Sequence, residues 1–341
     1  CSTAGIPADE IYAAGMPTTH GGRVNFWSTL SGTYLGGLAY ERQDDAVLEQ
    51  AAYKLVNISQ PQFEAILNRH SQANPHITLS RGAKCIGFTQ KPDAVSVQVE
   101  TQDGQREMTA DYLIAADGAG SFLRAAMGIE MHGPDALQHF ITIHFHADLS
   151  ALIKDKPAIL HWMMSPEASG TLISYDEGKN WVLMHSCAPG DEDVALYDAA
   201  RCRALVTGVL GRDDVDFTVK DVSPWVMTAQ VAARYRHARA FLMGDAAHRF
   251  PPAGGLGLNT GIGDAQNLAW KLAMVKQGLA DDSLLDSYET ERKAVAEANS
   301  GQSLENAMRI IELLGFLLGP DPENMLAHFE DICANAATSH E

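Results

Sequence analysis

The chain reads as a mixed α/β protein: a three-layer α/β domain, a mainly antiparallel β-sheet inserted into it, and a helical C-terminal part. Three observations carry this. Two apolar runs, residues 112–116 (YLIAA) and 240–243 (AFLM), each stop at an aspartate beside a glycine. Between them, residues 132–231 form a series of strand-like pieces. After Asn259 the pattern is mostly helical to the end.

The elements follow in order. Residues 60–72 (QPQFEAILNRHSQ) predict a helix with Ser59 as N-cap and Phe63, Ile66 and Leu67 on one face. Residues 94–101 alternate Val95, Val97 and Val99 with polar neighbours, a half-exposed strand, and Asp103-Gly104 turns the chain back. The run 112–116 is expected as a central strand covered on both faces. Ser121 can cap a short helix that stops at Gly128. Strands are then expected at 140–147, 158–164, 170–175, 181–185 and 216–222, with a turn at 176–178 and a helix near 194–210. Residues 32–40 are strand-like and are assigned to the same sheet. A helix follows from near Thr260 to Lys276, with Asp264 in its first turns and Gly278 beyond it. The expected division is 1–19, 51–131 and 231–300 for the α/β domain, 20–50 and 132–230 for the sheet domain, and 301–341 for a helical segment.

Composition narrows the class. At 341 residues the chain suits two domains or one elaborate one, and 46% apolar with 20% charged residues is ordinary for a globular protein. A net charge of −18 argues against an extended nucleic-acid or anionic-membrane surface. The five cysteines (Cys1, Cys85, Cys187, Cys202, Cys333) are scattered without C-x-x-C, which suggests a reducing, cytoplasmic setting and neither a disulfide framework nor a zinc site. No apolar run reaches membrane-span length and no signal peptide is visible, so no membrane partner is expected. The chain starts at Cys1 rather than Met, so its N-terminus is read as processed or missing.

Chemistry concentrates at the two strand ends. In an open α/β sheet, ligands sit at the carboxyl ends of strands. There, Asp117-Gly118 and Gly244-Asp245 pair an acceptor for sugar-like hydroxyls with a glycine that lets the backbone approach a phosphate or a flat ring. Gly244 to Gly261 (GDAAHRFPPAGGLGLNTG) then leads from strand to helix, bringing bare amides to a helix N-terminus. Each aspartate alone would be as well explained by helix capping. Two such sites together with the GGLGLN loop are not.

These motifs resemble those of the class A flavoprotein aromatic hydroxylases, the family of para-hydroxybenzoate and phenol hydroxylases. Asp117 to Arg124 (DGAGSFLR) matches the family's D-G-x-x-S-x-x-R. Gly244 to His248, Pro251-Pro252 and Gly255 to Asn259 match its second flavin motif. Asp264-Ala265, Trp270-Lys271-Leu272 and Tyr288 to Arg292 (YETER) continue the pattern, and Ile58, Gln60, Phe63, Glu64, Ile66 and Leu67 resemble the helix before the first motif. The family's opening strand with G-x-G-x-x-G is not found here; Gly21-Gly22 and Gly36-Gly37 lack its spacing. Against the family, the chain is therefore expected to be a partial sequence whose α/β domain is incomplete at its N-terminus, holding the riboflavin side of an FAD site.

The resemblance implies residue roles. Asp245, beside Gly244, would hydrogen-bond the ribityl chain of FAD. Pro252 would sit near the ring, and backbone groups of Gly255, Leu256, Gly257, Leu258 and Asn259 would line its pyrimidine edge. Asp117, with Gly118, would lie near the pyrophosphate. Arg124 would hold the motif or reach the nicotinamide cofactor, or else be a surface ion-pair partner. Gln60 would be a flavin contact or an exposed first-turn residue. The family's reaction reduces FAD with NADPH or NADH, adds O2 at flavin C4a, and delivers OH from the hydroperoxide to a small phenolic substrate. A homodimer is the assembly to test for.

The catalytic base is not identified from the sequence. Candidates for a substrate wall lie on the inserted sheet: His144 and His146 share a strand face with Thr142, His161 pairs with Met163, and Trp181 with Leu183 and His185. Core packing is the plainer account of each singly, and the His144-x-His146 pair lacks a third ligand for a metal. His248 reads as a packing or hydrogen-bonding residue of the flavin motif. Flavin-dependent halogenases share the fold, but their W-x-W-x-I-P is absent, the tryptophans standing apart at 27, 162, 181, 225 and 270. Prenyl-chain flavin reductases match less well after Gly254. A non-catalytic flavin-binding remnant is the alternative from another class.

Overall fold

The computed structural model describes residues 4–40, 45–176, 178–318 and 325–339. They form two compact units, the first from Cys1–Leu79, Gln138–Trp225 and Leu313–Glu341, the second from Ser80–Leu137 and Val226–Glu312.

The first unit is built on a seven-stranded sheet. Its order is Thr218–Met227, Gln138–His146, Asn180–Cys187, Gly170–Ser174, Leu160–Met163, Arg23–Trp27 and Tyr34–Ala39. From Gln138–His146 to Tyr34–Ala39 the pairing is antiparallel except where Arg23–Trp27 runs parallel to Leu160–Met163. The expected inserted sheet is therefore present, with residues 34–39 at its edge. Alternation drives it: Ile141, Ile143 and Phe145 are fully buried while Thr142 and His144 are half-buried and His146 is exposed. The buried face packs on Cys202, Val206, Val209 and Leu210 of the helix Ala199–Leu210. Asp198 caps that helix by accepting from Arg201 N, and Gly211 ends it at φ 71. Phe26, Leu35 and Trp162 pack with Phe329 and Ile332 of the helix Met325–Ser339.

Residues 4–19 and 51–79 pack within this first unit, whereas the expected division grouped them with the strand-end aspartates. Hydrogen bonding gives the reason. Glu10 on the helix Ala8–Ala14 accepts from Arg69 and His70 of the helix Gln60–Ala73. Met16 N donates to Asn57 O at 2.7 Å, and Asn57 Nδ2 to Gly21 O at 2.8 Å, just before the strand Arg23–Trp27. The helix Asp286–Leu318 runs unbroken through residue 300, where a boundary is expected.

The second unit holds the strand ends. Arg236–His237, Ala240–Leu242 and Leu113–Ala115 form one three-stranded sheet, the last two strands parallel. Lys84–Gln90, Val95–Thr101 and Gly104–Ala110 form an antiparallel meander, and His248–Arg249, Gln230–Ala232 and Met131–His132 a third small sheet. Leu113–Ala115 is an edge strand among the described residues rather than a covered central one, and Ile114 is 42% exposed. The core gathers Ala115, Leu123, Tyr235, Phe241, Leu242, Leu268 and Tyr288. No helix among the described residues is long and apolar enough to cross a membrane.

Candidate functional site

The two strand-end turns of the second unit are joined directly. Met243 N donates to Ala115 O at 3.0 Å, carrying the parallel pairing to the strand ends. Gly244 then adopts φ 59, opening a single 3-10 turn over Gly244–Ala246 that closes with Ala247 N on Gly244 O at 2.8 Å. A side chain at Gly244 would be strained by that left-handed φ. The turn leaves Asp245 exposed, and its carboxylate has no hydrogen-bond partner among the described residues.

Asp117 is used differently. Its Oδ1 accepts from Ser121 Oγ at 2.5 Å and its Oδ2 from Leu123 N at 3.0 Å, while Ser121 Oγ accepts from Arg124 N at 2.9 Å. Both carboxylate oxygens thus serve the start of the helix Phe122–Ala126, the capping role. Arg124 Nη1 donates to Ala246 O at 2.9 Å and Nη2 to Ala119 O at 2.8 Å. A single guanidinium thus ties the first turn to the second. Gln60 belongs to the first unit, where it is exposed and donates to Glu64 Oε1 at 2.7 Å.

The glycine-rich loop enters a helix sooner than its sequence suggests. That helix spans Leu256–Lys276, so Leu256 to Asn259 form its first turn rather than a loop. Gly255 is its N-cap at φ 62, after Gly254 at φ 112. Glycine supplies these conformations, and a glycine run masks a helix start when only propensity is read. No side chain caps the first-turn amides. Pro252, Leu258 and Asn259 are exposed. The geometry offers free amides and the positive end of a helix dipole to an acceptor.

Asp264, expected in the first turns, lies deeper and is fully buried. Its Oδ2 accepts from His248 Nε2 at 2.7 Å and Gly244 N at 3.2 Å, and its Oδ1 from Arg292 Nε at 2.8 Å. His248 stacks on Phe250 with ring centroids 4.9 Å apart, so its motif role is packing and hydrogen bonding. The contacts around it account for four of the five YETER residues, Arg292 and three others. Tyr288 Oη donates to Leu242 O at 2.8 Å, Glu289 accepts from Tyr235 N at 2.8 Å, and Glu291 meets the buried Lys271 at 2.9 Å. Burial first, then the nearby Asp264 charge, push the phenols of Tyr235 and Tyr288 far up, so both stay neutral. Sequence reading missed Asp264 and Arg292 as partners; Gly263 was the available clue. A Cβ there would lie 2.6 Å from Arg292 Nη2, which makes room for the guanidinium a reason for glycine inside a helix.

On the sheet of the first unit the candidate wall divides. Trp181 pairs with Ser174, and His161 with Leu172, placing both on the buried face. His144 is opposite Val182 and so lies on the other face. A pleated strand alternates faces, so these residues cannot form one surface. His161 and Trp181 are fully buried with rings 5.8 Å apart, and Trp27 Nε1 donates to His161 Nδ1 at 3.2 Å. Burial pulls the His161 pKa down to about 4, so it is a neutral core residue. His144 packs beside Tyr175, His146 Nδ1 meets Asn180 Oδ1 at 3.3 Å, and His185 Nδ1 meets Ser169 O at 3.3 Å.

A parallel strand pair whose ends carry glycine turns, a free carboxylate and an uncapped helix start defines a nucleotide- or flavin-binding α/β unit. Comparison with known proteins specifies it. A family model described as FAD binding domain matches residues 3–303, and the chain belongs to that family. Tetracenomycin B2 monooxygenase-dioxygenase of Streptomyces olivaceus is 42% identical over 210 residues, 61% of this chain and 39% of that protein. The 2,4-dichlorophenol 6-monooxygenase of Delftia acidovorans is 30% identical over 337 residues, 95% of this chain and 55% of that protein. Among solved structures, the flavin-dependent monooxygenase PieE in complex with FAD and substrate aligns with a TM-score of 0.85 at 27% identity, over 97% of this chain and 61% of that one. The matches span 39% and 55% of the length of these two curated relatives.

Proposed function

We propose that the protein is an FAD- and NAD(P)H-dependent monooxygenase that hydroxylates a phenolic, aromatic substrate, and that this chain carries the flavin-ring side of its site. The observation that carries this is the linkage of the two strand-end turns through Arg124, with the second turn held by Asp264, around groups left free. The groups suit a flavin. A Cβ built on Gly118, Gly244 or Gly257 would meet no atom within 4 Å, so these backbones face open space that a ring or ribityl chain could fill. Asp245 is an acceptor without a donor, matching ribityl hydroxyls. The first-turn amides of the helix Leu256–Lys276 are donors without an acceptor, matching the pyrimidine carbonyls.

Bound FAD would supply the electron transfer from NAD(P)H and the activation of O2. The chain's own work would be to hold and orient. Asp245 would fix the ribityl chain, Pro252 would flank the ring, and Gly255 to Asn259 would place the helix dipole where negative charge grows on reduction, a contribution of about 0.3–1 kcal/mol or more when partly buried. Asp117, Gly118 and Arg124 would shape the turn beside the pyrophosphate. The relative named for 2,4-dichlorophenol supports an aromatic ring as substrate. A cytoplasmic homodimer completes the proposal.

The whole protein is expected to purify yellow and to consume NAD(P)H and O2 faster when a phenol is present. A colourless protein that stays apo with added FAD would defeat the proposal. Asp245→Ala removes one charge-assisted hydrogen bond and should weaken FAD binding by roughly 1.5–3 kcal/mol. Unchanged affinity in an equilibrium titration would remove Asp245 from the site.

A further inference from the structure

The helix Asp286–Leu318 carries Arg292, Asn299 and Asn306 at intervals of seven residues. Seven residues are nearly two helical turns, so the three share one stripe. Each reaches the glycine-rich segment. Arg292 Nη2 donates to Thr260 O at 3.1 Å, and Asn299 Nδ2 to Thr260 Oγ1 at 2.9 Å. The Thr260 hydroxyl in turn donates to Leu256 O at 2.6 Å, inside the first turn. Asn306 Nδ2 donates to Ala253 O at 3.3 Å, across 53 residues of chain. No other hydrogen bond among the described residues joins 252–255 to a segment outside 252–259.

Glycine placement shows that the contact at Asn306 is a close one. A Cβ on Gly254 would lie 3.2 Å from Asn306 Nδ2, and Gly254 sits at φ +112, which side-chain-bearing residues rarely adopt. The loop that presents the first-turn amides is thus bounded at its start by Asn306 and at its end by Asn299, both on one rigid helix.

We propose that Asn299 and Asn306 are positioning residues, which act through Ala253 and Thr260 to hold the amides of Leu256 and Gly257 in place for the flavin ring. This rests on the loop being the flavin-ring site. Neither residue touches the flavin. Each fixes a point of the backbone that does, so its loss would alter cofactor affinity and the electronic environment of the ring while leaving the fold intact.

The test uses the whole protein. Asn306→Leu keeps the bulk and deletes the donor, Asn306→Gln keeps a donor on a longer arm, and Asn299→Leu probes the other end. FAD affinity is measured by fluorescence titration, the bound flavin by its visible absorption spectrum and midpoint potential, and the apoprotein by its melting temperature. Asn306→Leu and Asn299→Leu are expected to raise the FAD Kd by roughly three- to tenfold, the worth of one hydrogen bond, with a changed spectrum and potential. Asn306→Gln is expected to recover most of the loss, with apoprotein melting near wild type throughout. Wild-type affinity and spectrum in both leucine variants would overturn the inference. So would a loss that follows a fall in apoprotein melting and is not rescued by glutamine. If the wild-type protein itself binds no FAD, it is the functional proposal that fails.

Discussion

Asp264→Asn tests how the second unit is held together. The carboxylate is fully buried and meets three donors: Arg292 Nε at 2.8 Å, His248 Nε2 at 2.7 Å and Gly244 N at 3.2 Å. Asparagine has nearly the same shape but one acceptor oxygen and an amide that can only donate. If the oxygen serves His248 and Gly244, the amide faces the Arg292 guanidinium; if it is flipped, the amide faces the other two. Either orientation loses a charge-assisted bond, roughly 1.5–3 kcal/mol, and leaves a largely buried arginine without its counter-charge, for which losses of about 3–5 kcal/mol are typical. The retained acceptor offsets part of this, so about 2–4 kcal/mol is expected. Urea unfolding of the apoprotein measures it, and a cycle with Arg292→Met isolates the pair. Residues sharing one buried network should couple by about 0.5–3 kcal/mol. A single-variant loss below about 0.5 kcal/mol, or additive effects in the cycle, would refute the clamp.

Two further outcomes follow. Gly263→Ala should gain about 1 kcal/mol of helix propensity, but its Cβ would lie 2.6 Å from Arg292 Nη2 and displace a guanidinium bonded to Asp264 and Thr260. The lost charged bond, about 1.5–3 kcal/mol, is the larger effect, so urea unfolding should show net destabilisation; a more stable variant would show that Arg292 does not need the space. His161, held neutral by burial with its pKa lowered from 6.5 to about 4, should make the first unit acid-sensitive. The unfolded chain takes up a proton that the folded one refuses, so stability is lost as pH falls from about 6.5 toward 4, by about 3 kcal/mol in all. His161→Gln should flatten that slope in unfolding measurements at pH 7 and 4.5, and an unchanged slope would locate the acid sensitivity elsewhere.

What was legible in the sequence was local. The buried strand pieces, the Ser121 cap and the strand-end aspartates depend on neighbours a few residues away, and local pattern encodes them. The helix start at Leu256 was hidden because its N-cap is a left-handed glycine, which reads as loop. The grouping of residues 4–19 and 51–79 was hidden because an amphipathic helix shows that it has a buried face, not which element covers it. Asp264 reads in the sequence only as a residue of the helix's first turns, since its partners stand 16, 20 and 28 residues away.

The distribution of these partners sorts the motif residues by task. Asp117 and Asp245 look equivalent in sequence, each an acid at a strand end beside a glycine. Their carboxylates do opposite things: both oxygens of Asp117 are taken by Ser121 and Leu123, whereas Asp245 is exposed and free. Arg124, Asp264 and Arg292 likewise spend their polar atoms on the framework. A charged group satisfied inside the protein has little left to offer a ligand, while one left free has made no such commitment. Under the proposed function, ligand contact would therefore fall to Asp245 and the first-turn amides, and placement to the buried network. Substitutions at the first group should change cofactor affinity with little effect on folding, and those at Asp264 or Arg292 should change both together.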